Sequence, residues 1–373
     1  MKKSIHELIP AHIHAIEAYR PGKPVEEVER ELKIYAIKLA SNENPLGPSP
    51  KAVEAAQREL RGANRYPDGG SFYLREKLAA RYALPMEQVF VGLGSSEVID
   101  LIARALLAPG LQGLTAARSY PPYSISIGAA GARLVTAPLC DYTYDLSAIA
   151  AAITAQTRVI FLANPNNPTG TYFAADEFDS FLSRVPDHVL VVLDEAYCDY
   201  VEDASYSRGV ELLRAGRHNL VVLRTFSKVH GLAGLRVGYG LGPADLFAEL
   251  NKLKTPFNTS GIAQAAAIAA LDDSGHVQRS VAANRAGRAQ LQNGLGEWGA
   301  RFVPSASNFV FVEVGGDGDA FAQQLLLEGV IVRPMRWMGF PGAIRVSVGT
   351  SDENQHFLEA YARVRSRAEF AVR

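Results

Sequence analysis

The chain has 373 residues, 48% of them hydrophobic and 21% charged, enough for a sizeable interior and more than a single core usually organises. A formal net charge of -1 leaves no basic surplus for nucleic acid or an anionic membrane surface, so any charge selectivity must be local. The two cysteines, Cys140 and Cys198, have no CxxC or disulfide-framework spacing, and no uncharged apolar run is long enough to cross a bilayer.

In chain order, residues 1–33 read as an arm. Lys2 and Lys3 lead into His6, Glu7 and Pro10 rather than the apolar core of a signal peptide, so a cytoplasmic place is expected. A segment bounded by Pro21 and Pro24 precedes a charged stretch predicted as helix over 26–32. Short runs rich in β-branched residues then predict strands over 89–93, 134–137, 158–164, 189–193 and 220–224, with helices over 97–107, 146–152 and 174–185 between them. Near-continuous apolar strands separated by helices argue for an α/β domain whose parallel sheet is covered on both faces. From about Thr255 the pattern changes to helices over 261–271 and 281–295 and strands over 309–314 and 344–348, expected to build a smaller α+β domain. The expected division is an arm with the start of the small domain at 1–44, a large domain at 45–254 and the small domain at 255–373.

In open α/β sheets ligands bind beyond the carboxyl ends of the strands. Three expected strands end in polar strings: Asn164-Pro-Asn-Asn-Pro-Thr-Gly170, Asp194-Glu-Ala-Tyr197 and Thr225-Phe-Ser-Lys228. One sheet edge therefore receives a carboxylate, a phenol, an amide and an amine, the set that pyridoxal 5′-phosphate (PLP) chemistry requires. A buried carboxylate such as Asp194 would keep the cofactor's ring nitrogen protonated. Lys228 would attach its aldehyde, since a lysine desolvated among cations becomes nucleophilic. Tyr197 and Asn167 would donate to the ring hydroxyl. Gly94, Ser95 and Ser96, at the start of the helix through Glu97, offer a helix N-terminus for the phosphate, with Thr225, Ser227 and Arg236 as further donors.

Plainer readings stand beside these. A lone loop lysine is ordinarily a solvated charge, and only its neighbours single out Lys228. The run from Val189 to Glu195 also suits the acidic strand end of a nucleotide hydrolase, but no GxxxxGK[ST] accompanies it. Asn166-Asn167-Pro168 can form a turn for local reasons, and Tyr66 and Tyr123 can be core aromatics. Arg236 and Arg345 lie in apolar or glycine-rich settings where an unpaired guanidinium is costly. His12 and His14 stand too alone for a metal site, so no metal is expected. Asn258-Thr-Ser260 is a glycosylation triplet without weight in the absence of a secretory signal.

Taken together, the chain resembles the fold-type I PLP-dependent aminotransferases, and more narrowly the histidinol-phosphate aminotransferases. The strings that carry the resemblance run from Tyr19-Arg-Pro-Gly-Lys-Pro24 through Lys38-Leu-Ala-Ser-Asn-Glu-Asn-Pro-Leu-Gly-Pro-Ser-Pro50, Asn64-Arg-Tyr-Pro-Asp68 and Gly94-Ser-Ser-Glu97. They continue through the three strand ends, His230-Gly-Leu-Ala-Gly-Leu-Arg236, Ile331-Val-Arg-Pro334 and Ile344-Arg-Val-Ser-Val-Gly-Thr350. The resemblance implies that Lys228 binds the cofactor covalently and shuttles the proton at the substrate α-carbon, with Asp194 on the pyridinium and Tyr197 and Asn167 on the ring hydroxyl. It implies phosphate contacts from Ser95, Ser96, Thr225, Ser227 and Arg236. Tyr66 would reach the phosphate of a neighbouring subunit's cofactor, which implies a homodimer with shared active sites. Arg345 would clamp the donor's α-carboxylate, Arg333 would meet a substrate phosphate, and Asn44 and Asn167 would face the substrate. The family's stacking ring is given to Tyr123, although Ser119-Tyr-Pro-Pro-Tyr123 departs from the usual Pro-Thr-aromatic string and leaves Tyr120 as the other candidate. The implied reaction is amino transfer between a small-molecule donor, L-histidinol phosphate, and a 2-oxo acid acceptor, 2-oxoglutarate, in histidine biosynthesis. Its rivals are an aromatic amino acid aminotransferase and a PLP decarboxylase or lyase acting on a phosphorylated amino acid. A PLP-fold transcription regulator would need a basic DNA-binding module, for which residues 1–33 are too short.

Overall fold

The computed structural model describes residues 4–18, 22–206, 209–367 and 370. Of the arm motif, Tyr19, Arg20 and Pro21 lie outside them. The larger sheet consists of β1 (Val89–Gly92), β2 (Gln112–Ala116), β3 (Arg133–Ala137), β4 (Thr157–Ala163), β5 (Leu190–Asp194), β6 (Leu220–Thr225) and β7 (Gly238–Leu241). Their order is β1-β7-β6-β5-β4-β2-β3. The run from β6 to β3 is parallel, whereas β7 pairs antiparallel with both β1 and β6.

The central strands explain their own sequences. Val191, Val192 and Leu193 of β5 and Leu220, Val221, Val222 and Leu223 of β6 are fully buried, because helices leave neither face to water. Each such side chain contributes about 1.5–3 kcal/mol of burial. β2 and β7 were not expected from the sequence, since Gly113, Gly238 and Gly240 interrupt their apolar pattern. Gly113 answers to packing: a Cβ there would lie 2.5 Å from Ile127 on the helix Pro122–Ala129.

A second, antiparallel sheet contains β8 (Arg301–Val303), β9 (Phe309–Glu313), β10 (Arg333–Pro334) and β11 (Ala343–Ser347), in the order β8-β9-β11-β10. Val310, Val312, Ile344 and Val346 from this sheet form a core with Leu291, Phe321, Leu325, Phe357 and Tyr361. Those partners come from the helices Ser274–Glu297, Gly318–Leu327 and Ser351–Arg365. The last helix starts in a capping box, in which Thr350 Oγ1 accepts from the Glu353 amide and the Glu353 carboxylate accepts from the Thr350 amide. Ile37 and Leu39 join this same core, and Ile37–Lys38 pairs in parallel with Val330–Ile331. The helix Gly261–Leu271 goes the other way. Although it follows residue 254, its Ala263, Ala266, Ala267 and Ala270 belong to the core of the larger sheet, where their small side chains admit the helix Pro50–Leu60. Among the described residues no helix is long and apolar enough to cross a membrane, and no His/Cys/Asp/Glu cluster could hold a metal ion.

Candidate active site

Because β4, β5 and β6 are adjacent and parallel, the strings that follow them open on one edge of the sheet. A cavity of about 230 Å³ lies there. Its wall includes Gly94, Ser95, Ser96, Tyr123, Asn167, Asp194, Tyr197, Thr225, Ser227, Lys228, Arg236, Arg333 and Arg345, so residues remote in sequence meet around one space. Asn44 and Tyr66 do not line it.

At the inner end, Asp194 Oδ2 accepts from the Tyr123 hydroxyl at 2.9 Å and Oδ1 from the Ala196 amide at 3.2 Å. Burial pushes its carboxyl up to about 6, against those two hydrogen bonds and the Lys228 charge, which favour ionisation. A cationic ring nitrogen placed against it would restore the charged form. Tyr123 is wholly buried, with its ring stacked on Phe161 at 5.2 Å and 6°. Tyr120 is half-buried, stands edge-on to Tyr123 and shares a 3.1 Å hydrogen bond with Ser96 Oγ.

Lys228 Nζ donates to the carbonyls of Asn42 at 3.2 Å and Ser41 at 3.4 Å, and sits 5.4 Å from the centre of the Tyr197 ring. Desolvation, reinforced by Arg345 and Arg236, lowers its amine to about 7, against the pull of Glu43 and Asp194. A substantial share of the amine is thus neutral and nucleophilic near neutral pH.

The opposite end is built for an anion. Gly94 opens the helix Gly94–Leu106 at φ 73°, and a Cβ there would come 2.8 Å from Arg236 Nη2. Gly238 of β7 performs the matching service from below, since a Cβ would meet the Ser95 amide nitrogen at 2.5 Å. The backbone amides at this helix start, the hydroxyls of Ser95, Ser96, Thr225 and Ser227 and the Arg236 guanidinium converge on one corner of the cavity. Arg236 reaches Ser227 Oγ at 3.4 Å and is itself held at a left-handed φ of 52°. An aldehyde-reactive amine, a buried carboxylate and a phosphate cradle, set around one cavity, fit PLP.

On the side of the second sheet, Arg333 of β10 and Arg345 of β11 are directly paired across the strands, and both are buried. Like charges opposite one another are unfavourable without compensation. Arg345 donates to Asn167 Oδ1 and, at 2.9 Å, to the Ala40 carbonyl, with its guanidinium 5.2 Å from the Phe309 ring centre. Arg333 lies 5.0 Å from the ring centre of Trp337.

Asn42 lines the same cavity and was not singled out by sequence reasoning. Its Nδ2 donates to the Tyr197 hydroxyl at 3.0 Å, and its carbonyl accepts from both Lys228 and Asn308. Asn44, expected to face the substrate, is turned away: its amide donates to the Val229 carbonyl and Ser280 Oγ, each at 2.9 Å. Asn42 holds a left-handed φ of 53°, a conformation that asparagine tolerates. Tyr66 is 83% exposed and stacks on Phe257 at 4.7 Å.

An α/β sheet carrying a lysine, an aspartate and an anion cradle at its carboxyl edge fits a PLP-dependent transferase, and the sequence model of the family of class I and II aminotransferases matches residues 35–360. The chain belongs to this family of PLP-dependent aminotransferases. Within it, the chain is 47% identical over 359 residues to histidinol-phosphate aminotransferase 2 of Pseudomonas fluorescens, covering 95% of this chain and 97% of that one. It is 48% identical over 356 residues to the protein of the same description from Pseudomonas aeruginosa, covering 94% and 96%. Among solved structures, the histidinol-phosphate aminotransferase of Sinorhizobium meliloti in complex with pyridoxal-5′-phosphate matches with a TM-score of 0.86 at 28% identity, covering 95% of this chain and 97% of that one.

Proposed function

We propose that the chain transfers an amino group between L-histidinol phosphate and 2-oxoglutarate, giving imidazole acetol phosphate and L-glutamate, in the histidine biosynthesis of the cytoplasm. The observation that carries this reading is the cross-strand pair of buried arginines facing the same cavity as Lys228. Histidinol phosphate carries a phosphate and no α-carboxylate, whereas glutamate carries two carboxylates, so one pocket must accept different anions in alternate half-reactions. Guanidinium groups suit both, because their planar donors bind either anion in paired hydrogen bonds. The names of the relatives agree with this substrate pair.

PLP, when bound, supplies the electron sink that makes the substrate α-hydrogen acidic. The remaining tasks fall to side chains of the chain itself. Asp194 holds the proton on the ring nitrogen, and Tyr123 holds Asp194. Lys228 would anchor the cofactor and then shuttle the proton between the substrate α-carbon and the cofactor's aldehyde carbon, on either side of the transferred nitrogen, a task matched to an amine whose pKa is near the working pH. Tyr197, oriented by Asn42, and Asn167 hydrogen-bond the ring hydroxyl. Arg236 and the helix start at Gly94 hold the phosphate. For the stacking ring we take Tyr120, which is half-buried at the cavity, because Tyr123 is fully buried with Phe161 against one face of its ring. Arg345 takes the α-carboxylate of glutamate and Arg333 the phosphate of histidinol phosphate. Tyr66, exposed beside Phe257, is assigned to the partner's site in a homodimer.

The test is a panel of amino donors with 2-oxoglutarate as acceptor. Histidinol phosphate should have the highest kcat/KM. Efficient transfer from phenylalanine or tyrosine with none from histidinol phosphate would replace this substrate with the aromatic amino acids.

A further inference from the structure

Arg333 is the hinge between two spaces. With Gly22 it lines both the cofactor cavity and a second, larger cavity of about 780 Å³ whose wall includes Trp337 and Gln323. An arginine so placed has two directions in which to point, and its neighbour across the strand is another guanidinium that repels it. A carboxylate placed on its donor edge would hold such a group only by neutralising the charge that an incoming anion needs. An aromatic face holds a guanidinium through the ring quadrupole while the donor edge stays directed outward.

The Trp337 ring centre is 5.0 Å from the Arg333 guanidinium carbon. Trp337 sits in the short turn Arg336–Met338, which would be a mobile support if nothing held it. Arg336 ties it down through its ion pair with Asp319 and a 2.7 Å contact to Asp317, both at the start of the helix Gly318–Leu327. The turn then closes at Gly339, whose φ of 85° carries the chain back to β11. The tie is exposed, the ring is half-buried and Arg333 is buried, so the chain of contacts runs from surface to site.

We infer that Trp337 is a positioning residue for the substrate's phosphate: its ring, braced by Arg336 on the helix Gly318–Leu327, holds the Arg333 guanidinium edge-on to the cofactor cavity and so sets the preference for a phosphorylated donor. The inference rests on the reading of Arg333 as the phosphate-binding residue. It adds a determinant that no strand-end motif contains.

The experiment compares Trp337→Leu, Trp337→Phe and Arg333→Gln holoenzymes, each with histidinol phosphate, with phenylalanine and with 2-oxoglutarate, and with inorganic phosphate as a competitive inhibitor. Loss of a partly desolvated cation–π contact corresponds to a change of roughly five- to tenfold. Trp337→Leu should therefore raise the KM for histidinol phosphate and the inhibition constant of inorganic phosphate by about that factor, with kcat and the KM for the other two substrates little moved. Trp337→Phe should recover most of the loss. If Trp337→Leu does not yield a folded enzyme, Asp319→Asn, which loosens the brace without touching the ring, should raise the same KM by a smaller factor. Should Arg333→Gln impair histidinol phosphate while Trp337→Leu and Asp319→Asn leave it untouched, the inference falls and the reading of Arg333 stands. An Arg333→Gln enzyme that handles histidinol phosphate normally overturns that reading, and the inference with it. Equal losses for all three substrates in Trp337→Leu make the ring merely structural and overturn the inference alone.

Discussion

Replacing Asp194 with asparagine should make the apoprotein more stable at pH 8 while nearly abolishing turnover. The carboxyl is buried and its pKa is raised from 3.8 to about 6, so the folded state disfavours the ionised form. The direction of the linkage follows. A carboxyl whose folded pKa lies above its unfolded value costs nothing below about pH 3.8 and progressively more as pH rises, with the full cost reached above about 6. A shift of about two units corresponds to about 3 kcal/mol. Asparagine removes that cost but leaves one of the two contacts, from the Tyr123 hydroxyl and the Ala196 amide, poorly matched, a loss of about 1 kcal/mol. The net gain is about 2 kcal/mol at pH 8, and it should shrink at pH 5, where roughly half the ionisation cost remains. Turnover should fall by about 10²- to 10³-fold, the range for removing one preorganised charge contact from a buried site. Urea unfolding of the two apoproteins at both pH values, paired with steady-state rates of the loaded enzymes, gives both quantities. An asparagine variant less stable than the parent at pH 8, or one with near-normal turnover, would refute the electrostatic account of this residue.

Other expectations follow from the same geometry. Borohydride treatment of the yellow holoenzyme should fix the cofactor to the peptide containing Lys228, and label on another lysine would overturn that assignment. In the apoprotein, cofactor capture should accelerate as pH rises through about 7, because the desolvated amine loses its proton there; a midpoint near the ordinary lysine value would contradict it. Gly94→Ala places a methyl group on Arg236 at a left-handed position, so cofactor affinity measured by fluorescence titration should drop at least tenfold, given about 1–2 kcal/mol for the backbone and a disturbed charge-assisted contact besides. Mixing inactive Lys228→Ala subunits with inactive Tyr66→Leu subunits should restore activity through one intact composite site, and silence despite demonstrated subunit exchange would exclude site sharing.

The parts of the site legible in the sequence are those delivered by single strands. Asp194, Lys228 and Asn167 each follow an apolar run whose length and composition already place them at a carboxyl edge. The parts that were not legible depend on long-range packing. Nothing local separates Asn42 from Asn44, which share one string; what separates them is Ser347, whose Oγ accepts from the Asn42 amide at 2.7 Å across a separation of 305 residues. Tyr120 and Tyr123 are both aromatic and three residues apart, and only the position of Phe161 decides which ring is covered. β7 was hidden because Gly238, which gives room to the Ser95 helix start, and Gly240, which faces Val98, Leu223 and Phe247, remove the apolar signature of a strand. The association of the helix Gly261–Leu271 with the larger sheet was hidden as well, since an alanine-rich face records closeness of packing and not the identity of the neighbour.

The thread from Ile37 to Asn42 also sets a schedule. Its backbone accepts from Lys228 and Arg345, and it is fastened by Val330–Ile331, Asn308 and Ser347. On a ribosome these early residues emerge long before the strands that receive them. The larger sheet can gather while the C-terminal third is still being made, as domains generally do. The lysine's two carbonyl acceptors, however, gain their anchors only after residue 347 has left the exit tunnel. A nascent or truncated chain can therefore own every strand-end motif and still have no assembled amine site, so competence for catalysis arrives among the last events of synthesis.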